Sequence, residues 1–194
     1  MDEMAISQVE PKGIKAVLFR EDAPAECVVL EPDEDGSYLK SMQDCVKGLI
    51  DFVDVLELDG GPTLWVNDEG LVNDMRPNRV VYASQKMQDA GYLSQIDGHP
   101  VRAFEPYAVI FGPILAVGKD DEGNLRDITP EEFSVVGTRL GGPESGARLV
   151  ALLTVAVMIE ELFSTLMGPM QGEVAIVEIR PLALDDECSV AERV

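Results

Sequence analysis

The sequence predicts an α+β fold: a mainly antiparallel sheet with packed helices, one long apolar C-terminal helix and a final strand. Three observations carry this. Stretches of strand character come in pairs joined by short Asp/Gly/Pro turns, which is hairpin chemistry. Helical signals, by spacing or by start signature, fall between and after those pairs. The elements do not follow the regular βαβα series of a doubly wound sheet.

Residues 1–12 read as a loose leader. The β-rich run GIKAVLFR (13–20) and AECVVLE (25–31) flank Asp22-Ala23-Pro24 and predict a hairpin. After the turn at 31–37, Ser37 is a candidate N-cap for a helix whose Leu39, Met42, Val46 and Ile50 share one face. Gly48 marks its end, so Ile50 can instead open the next segment. FVDVLEL (52–58) and TLWVN (63–67) predict a second hairpin around Asp59-Gly60-Gly61-Pro62. Residues 78–93 fit a helix capped by Asn78 and closed by Gly91, although the composition of Val80, Val81, Tyr82 and Ala83 also suits a strand. The nearly apolar run 107–119 is the strongest strand signal, with a bulge or edge kink expected at Gly112-Pro113. Thr129, followed by Pro130, Glu131 and Glu132, signals a helix start. From Ala147 onward some 22 residues read as one helix, apolar on all sides between Leu149 and Ile159. Such a helix must be buried centrally or sealed by another subunit. Residues 173–184 alternate as a last strand, and the acidic end from Asp185 reads as frayed. The predicted organisation is a leader (1–12), an α+β domain (13–136), and a helix–strand extension (137–194) packing on it.

Of the 194 residues 36 are acidic and 15 basic, a formal net charge of -21. The acids are spread along the chain, so the folded body itself is electronegative. That field repels phosphate backbones and anionic lipid, and argues against direct binding of nucleic acid or membrane. It is also compatible with imitation of DNA's charge, which would make the protein an inhibitor of a nucleic-acid enzyme. Cys27, Cys45 and Cys188 are odd in number and lack CxxC spacing, so neither a disulfide framework nor a zinc site is suggested. The N-terminus lacks the apolar core of a signal peptide, and the eleven-residue apolar stretch is shorter than the about twenty a bilayer needs. A cytoplasmic location is expected.

Candidate chemistry is sparse. Gly141–Arg148 has the glycine frame of a phosphate loop, but Ala147 stands where the lysine belongs and Arg148 where a hydroxyl would hold magnesium. A connector with Ser145 as helix cap fits better. His99, the only histidine, sits in a Gly98-His99-Pro100 turn with no nucleophile elbow elsewhere. Three acidic turns recur, at Asp33–Gly36, Asn67–Gly70 and Asp120–Gly123, yet none matches a calcium loop. Asp, Asn and Gly dominate turns for backbone reasons. No catalytic residue, metal or cofactor is assigned.

The remaining candidate segment is LWVNDEGLVNDMRPNRVVYA (64–83). A strand ends in Asn67-x-Glu69-Gly70, Pro77-Asn78 follows, then Ala83, and the apolar strand of 109–118 precedes an acidic Gly turn. This arrangement resembles the bacterial and phage domain-of-unknown-function family 3846, over roughly residues 13–136. The resemblance implies a small α+β domain, often encoded in phage and mobile-element neighbourhoods, and carries over no catalytic residue. Two accounts of the matched positions stand side by side. In the structural one, Asn67 serves a turn, Gly70 takes positive φ, and Asn78 caps a helix. In the functional one, Trp65, Asn67, Glu69, Arg76, Asn78 and Arg79 converge on a polar ligand pocket, the two arginines binding an anion or neutralising Asp74 and Glu69. The leading expectation is a non-enzymatic binding or accessory protein of phage or mobile-element type, a homodimer through Ala147–Met167. The alternatives are the DNA mimic and a small-molecule enzyme using Asn67–Arg79.

Overall fold

A computed structural model describes residues 13–167; the leader and the expected strand at 173–184 lie outside the described residues. The chain divides into two units, Met1–Ala156 and Val157–Val194. The first holds an antiparallel sheet in the order β2-β1-β7-β4-β3, with β8 paired to β7. Its strands are β1 (Ile14–Phe19), β2 (Glu26–Leu30), β3 (Ile50–Val53), β4 (Thr63–Asn67), β7 (Ile114–Lys119) and β8 (Leu125–Arg126). Two further strands, β5 (Pro77–Tyr82) and β6 (Pro106–Phe111), form a separate antiparallel ribbon. The helices are α1 (Leu39–Val46), α2 (Gln85–Asp89), α3 (Pro130–Arg139) and α4 (Ser145–Met167). The α+β prediction, antiparallel pairing included, is the observed architecture.

The central strands are apolar on both faces because both faces are covered. Ile14, Ala16 and Leu18 of β1, with Leu115 and Val117 of β7, pack against Met42 and Val46 of α1. Their neighbours Val17, Phe19, Ile114 and Ala116 pack on the opposite side with Val81, Met87, Tyr107 and Val136, which come from the ribbon, α2 and α3. The alternation of a strand thus feeds two cores instead of one core and solvent.

Three expectations about element boundaries are corrected. Residues 78–93 are β5 followed by the short α2, whose cap is Ser84, its Oγ accepting from Met87 N at 3.2 Å. The β-branched composition wins because Val80 and Val81 are buried in the ribbon. The strand expected over 52–58 ends at Val53, and a 3-10 turn follows at Glu57–Asp59. Leu56 is fully buried there, and leaving the sheet is what lets it reach the core. The single strand expected over 107–119 is two strands in two sheets, the break falling at Gly112 with φ +76°. Gly112 thus redirects the chain where a kink within one strand was expected. In α1 the N-cap position is Tyr38, whose side chain does not cap the helix, while Ser37 Oγ accepts from Leu39 N at 3.2 Å.

The α3 start is as its sequence announces. Thr129 Oγ1 accepts from Glu132 N at 3.2 Å, and Glu132 Oε2 accepts from Thr129 N at 2.9 Å, a complete capping box. Glu132 also receives both arms of Arg126, each at 2.9 Å. Burial pushes the Glu132 carboxyl up, but the Arg126 pair and the Thr129 amide outweigh it and the net direction is down. A carboxyl lowered in the folded state stabilises it above the unfolded pKa, and that contribution is lost as pH falls through the folded value. Glu132→Gln should therefore flatten the stability-versus-pH curve below about pH 4.5, the ordinary value. Urea titrations from pH 3 to 6 check this, and a slope identical to wild type would refute it.

Candidate functional site

The motif segment folds into two side-chain clasps. Asn67, buried at the end of β4, donates through Nδ2 to the carbonyls of Val46 (3.2 Å) and Lys47 (3.0 Å) at the end of α1. Its Oδ1 accepts from Glu69 N at 2.9 Å. Asn78, fully buried in β5, donates to Phe19 O (2.9 Å) and Gly112 O (2.8 Å). Its remaining oxygen accepts from Arg79. That bond fixes the orientation of the amide, since a guanidinium can only donate.

Arg79, 2% exposed, is buried without a bonded carboxylate among the described residues. It donates to the carbonyls of Arg20 (3.2 Å), Ala23 (2.7 Å) and Pro143 (3.4 Å), and its guanidinium lies 5.6 Å from the Phe19 ring centroid. Burial pushes its pKa down, partly offset by the charge of Asp22. A ring of carbonyls holds the cation in place of a counter-ion. Together Asn78 and Arg79 tie the β1–β2 hairpin, the β6–β7 turn and the loop before α4 to one strand.

The other motif residues are placed elsewhere. Arg76 reaches Asp22 at 3.4 Å with most of its side chain in solvent, so its partner is not Asp74 or Glu69. Glu69 accepts from Asn73 Nδ2 at 3.2 Å. Trp65 meets Phe52 at 6.0 Å between centroids, with Lys119 Nζ 5.5 Å from its ring, and packs with the α1-side core. Its Nε1 is buried without a hydrogen-bond partner among the described residues. Two assigned roles are corrected. Asn78 lies inside a strand and caps no helix. Gly70 does not take positive φ; a Cβ there would come 2.8 Å from Phe111 O, so close approach is what calls for glycine.

The three acidic turns share one construction. In each, the first residue's side-chain oxygen accepts the amide two positions on: Asp33 from Asp35 (3.1 Å), Asn67 from Glu69, Asp120 from Glu122 (3.0 Å). In each, the glycine amide returns to the first residue's carbonyl, at 3.0, 3.2 and 3.0 Å. Asp120 is held below its usual range by the Asn124 side chain and backbone amides. These first-position oxygens are occupied by their own loops. Among the described residues no group of three or more His, Cys, Asp or Glu is arranged to hold a metal.

This unit carries an open cleft of about 440 Å³. Val53 of β3, Val66 of β4, Val109 and Phe111 of β6, and Val150 and Leu153 of α4 line it, with Asn67, Asp68 and Gln95 as its polar members. Asn67 is the motif residue in this wall; Trp65, Glu69, Arg76, Asn78 and Arg79 are not among its lining residues. The wall offers one carboxylate, Asp68, and no serine, cysteine, histidine, lysine or arginine. Sequence reasoning missed the cleft because its marker is an apolar run that equally signals core.

The loop before α4 adds to the β5 edge. Gly141 N donates to Val80 O at 2.9 Å, and Ser145 Oγ accepts from Val80 N at 3.0 Å. The hydroxyl expected to cap the helix is spent on the strand. A Cβ on Gly146 would lie 2.8–2.9 Å from the backbone of Asn78. Gly146→Ala gains about 1 kcal/mol of helix propensity. It also forces helix and strand apart, at about 1–3 kcal/mol, so net destabilisation is expected. Gly137 in α3 has open space at the same position, and Gly137→Ala should stabilise by up to about 1 kcal/mol. Thermal melts of the two variants check the opposite signs.

From Ala151 to Leu162 every residue of α4 is exposed, including Leu152 (64%), Val155 (52%), Ile159 (48%) and Leu162 (57%). Central burial, one of the two expectations for this helix, does not occur among the described residues. No helix among the described residues is long and apolar enough to cross a membrane.

Comparison with known proteins finds one family model, described as a domain of unknown function (DUF3846), matching residues 14–140. No curated protein and no solved structure matches the chain.

Proposed function

From a chain that belongs to the DUF3846 family, we propose a protein that acts by binding, not catalysis, and pairs with a second copy of itself through α4. Family resemblance supports an accessory role in a phage or mobile-element setting. The observation that carries the proposal is the exposure of α4. Its large apolar side chains from Leu152 to Leu162 lie in solvent. Taken round the helix they present on the order of 600 Å² of apolar surface, as much as the largest patch of a typical monomer. A standard interface buries about 800 Å² per partner, so the flank of the helix that points away from its own cleft supplies part of one side. The uncharged stretch Leu149–Ile159 is also where two copies of net charge -21 can approach with least repulsion.

The test is the size of the full chain by light scattering. A dimer is expected, tightening as salt screens the like net charges. Leu152→Glu with Ile159→Glu should weaken it by about a hundredfold or more, near 3 kcal/mol. Both side chains are exposed in the single chain, so the variant should still fold, with a thermal midpoint that no longer rises with protein concentration. A wild-type monomer at high concentration would overturn the proposal.

A further inference from the structure

We infer that the second copy lies antiparallel on α4, along a seam of Leu152, Val155, Ile159 and Leu162. This rests on the self-association proposed above and specifies its geometry. The 3-4-3 spacing of these four residues places them on one stripe of a helix, the repeat that knobs-into-holes packing requires. Val150 and Leu153 belong to a different flank, because they line the cleft of their own chain. Their exposure agrees: Val150 is half-buried and Leu153, at 37%, is the least exposed of the large apolar residues between 152 and 162. The helix is therefore apolar on two sides for two reasons, one flank facing the body and one facing the second copy.

An apolar seam has no direction of its own, so charge decides orientation. The charged residues of α4 are Arg148 near its start and Glu160 and Glu161 toward its end. A parallel pair would set Arg148 beside its own copy and crowd the four glutamates together. An antiparallel pair sets each Arg148 toward the C-terminal, acidic half of the other helix, where the negative end of the helix dipole adds to the attraction. Maximal overlap of Ala147–Met167 puts the twofold axis near Val157. Leu152 then faces Leu162 of the other copy, and Val155 faces Ile159. Leu152 is ten residues from Leu162, so its own symmetry mate is about 15 Å away along the axis.

Cysteine pairing reads this register directly, since a disulfide needs Cα atoms within about 7 Å. Cys27→Ser, Cys45→Ala and Cys188→Ser give a background whose size and melting are first matched to wild type. If that background fails to fold, the same pairs are read as the increment over wild type. Under mild oxidation, Leu152→Cys alone should stay non-covalent, while Leu152→Cys mixed with Leu162→Cys should give a covalent dimer. Efficient cross-linking of Leu152→Cys with itself would show a parallel pair and overturn the inference. A dimer that cross-links in neither arrangement would place the interface elsewhere, overturning it while leaving self-association standing. A monomer by light scattering would overturn both.

Discussion

Asn78→Leu is expected to cost about 3–5 kcal/mol, the largest loss from any single side-chain change in the motif segment. Leucine has the same number and branching of heavy atoms but bulkier methyl groups, so no cavity forms and crowding adds to the loss. What is lost is polar satisfaction. Phe19 O and Gly112 O each lose a donor, and Arg79 loses one acceptor from a buried ring of oxygens. Each such orphaned group costs about 1–3 kcal/mol. Asn78→Asp separates the two sides of the amide: it keeps an oxygen toward Arg79 but turns the other against two carbonyl oxygens. It should therefore lose less than Asn78→Leu but still more than 1 kcal/mol. Urea unfolding with an unchanged slope is the measurement. A loss below about 1 kcal/mol for Asn78→Leu would show that the clasp does not hold the hairpin, turn and loop together.

The clasp also explains what the sequence could and could not say about this segment. Asn67, Gly70 and Asn78 stood out because their residue types are unusual beside apolar strands, and all three serve the backbone. The turn chemistry at Asn67–Gly70 was legible because Asx turns are local, closed within four residues. The same holds for Thr129–Glu132, whose capping box spans four residues. The jobs of Asn78 and Arg79 were not legible. Their partners are 59, 34, 56 and 64 residues away in the chain, and spacing carries no trace of such contacts. For the same reason β5 was ambiguous: its strand state is set by pairing with β6 and by the α4 root on its other edge. Periodicity recognised the apolar circumference of α4 but could not choose between burial within the chain and burial against another. In the structure residues 151–162 are exposed. The clasp and the helix are also linked. Arg79 bonds Pro143, Ser145 bonds Val80 and Gly146 touches Asn78, so the segment that marks the family anchors the root of the exposed helix.

Arg139→Met should be the other severe change, losing about 3 kcal/mol. Arg139 ends α3, where a cation is favoured by the helix dipole, and is 5% exposed. Its Nε donates to Tyr82 O at 2.7 Å at the end of β5, and its guanidinium pairs with Asp59, the last residue of the 3-10 turn. Burial pushes the Arg139 pKa down, and the Asp59 charge restores part of it. One side chain thus joins α3, the ribbon and the β3–β4 connection. Methionine keeps most of the aliphatic stem but loses Nη2, which donates to Met87 Sδ at 2.8 Å, so the loss reports on the contacts of the guanidinium. Removing the cation strands Asp59, whose side chain is 20% exposed, and that residual access to water places the cost at the lower end of the range for a broken buried pair. Asp59→Asn keeps an acceptor for Arg139 and should cost about half as much. In the double variant nothing is left unpaired by charge, so the combined loss should fall short of the sum by about 1 kcal/mol or more. Additivity within about 0.3 kcal/mol would mean that the ion pair contributes nothing, and that α3 is held to β5 by the Tyr82 carbonyl and the core alone.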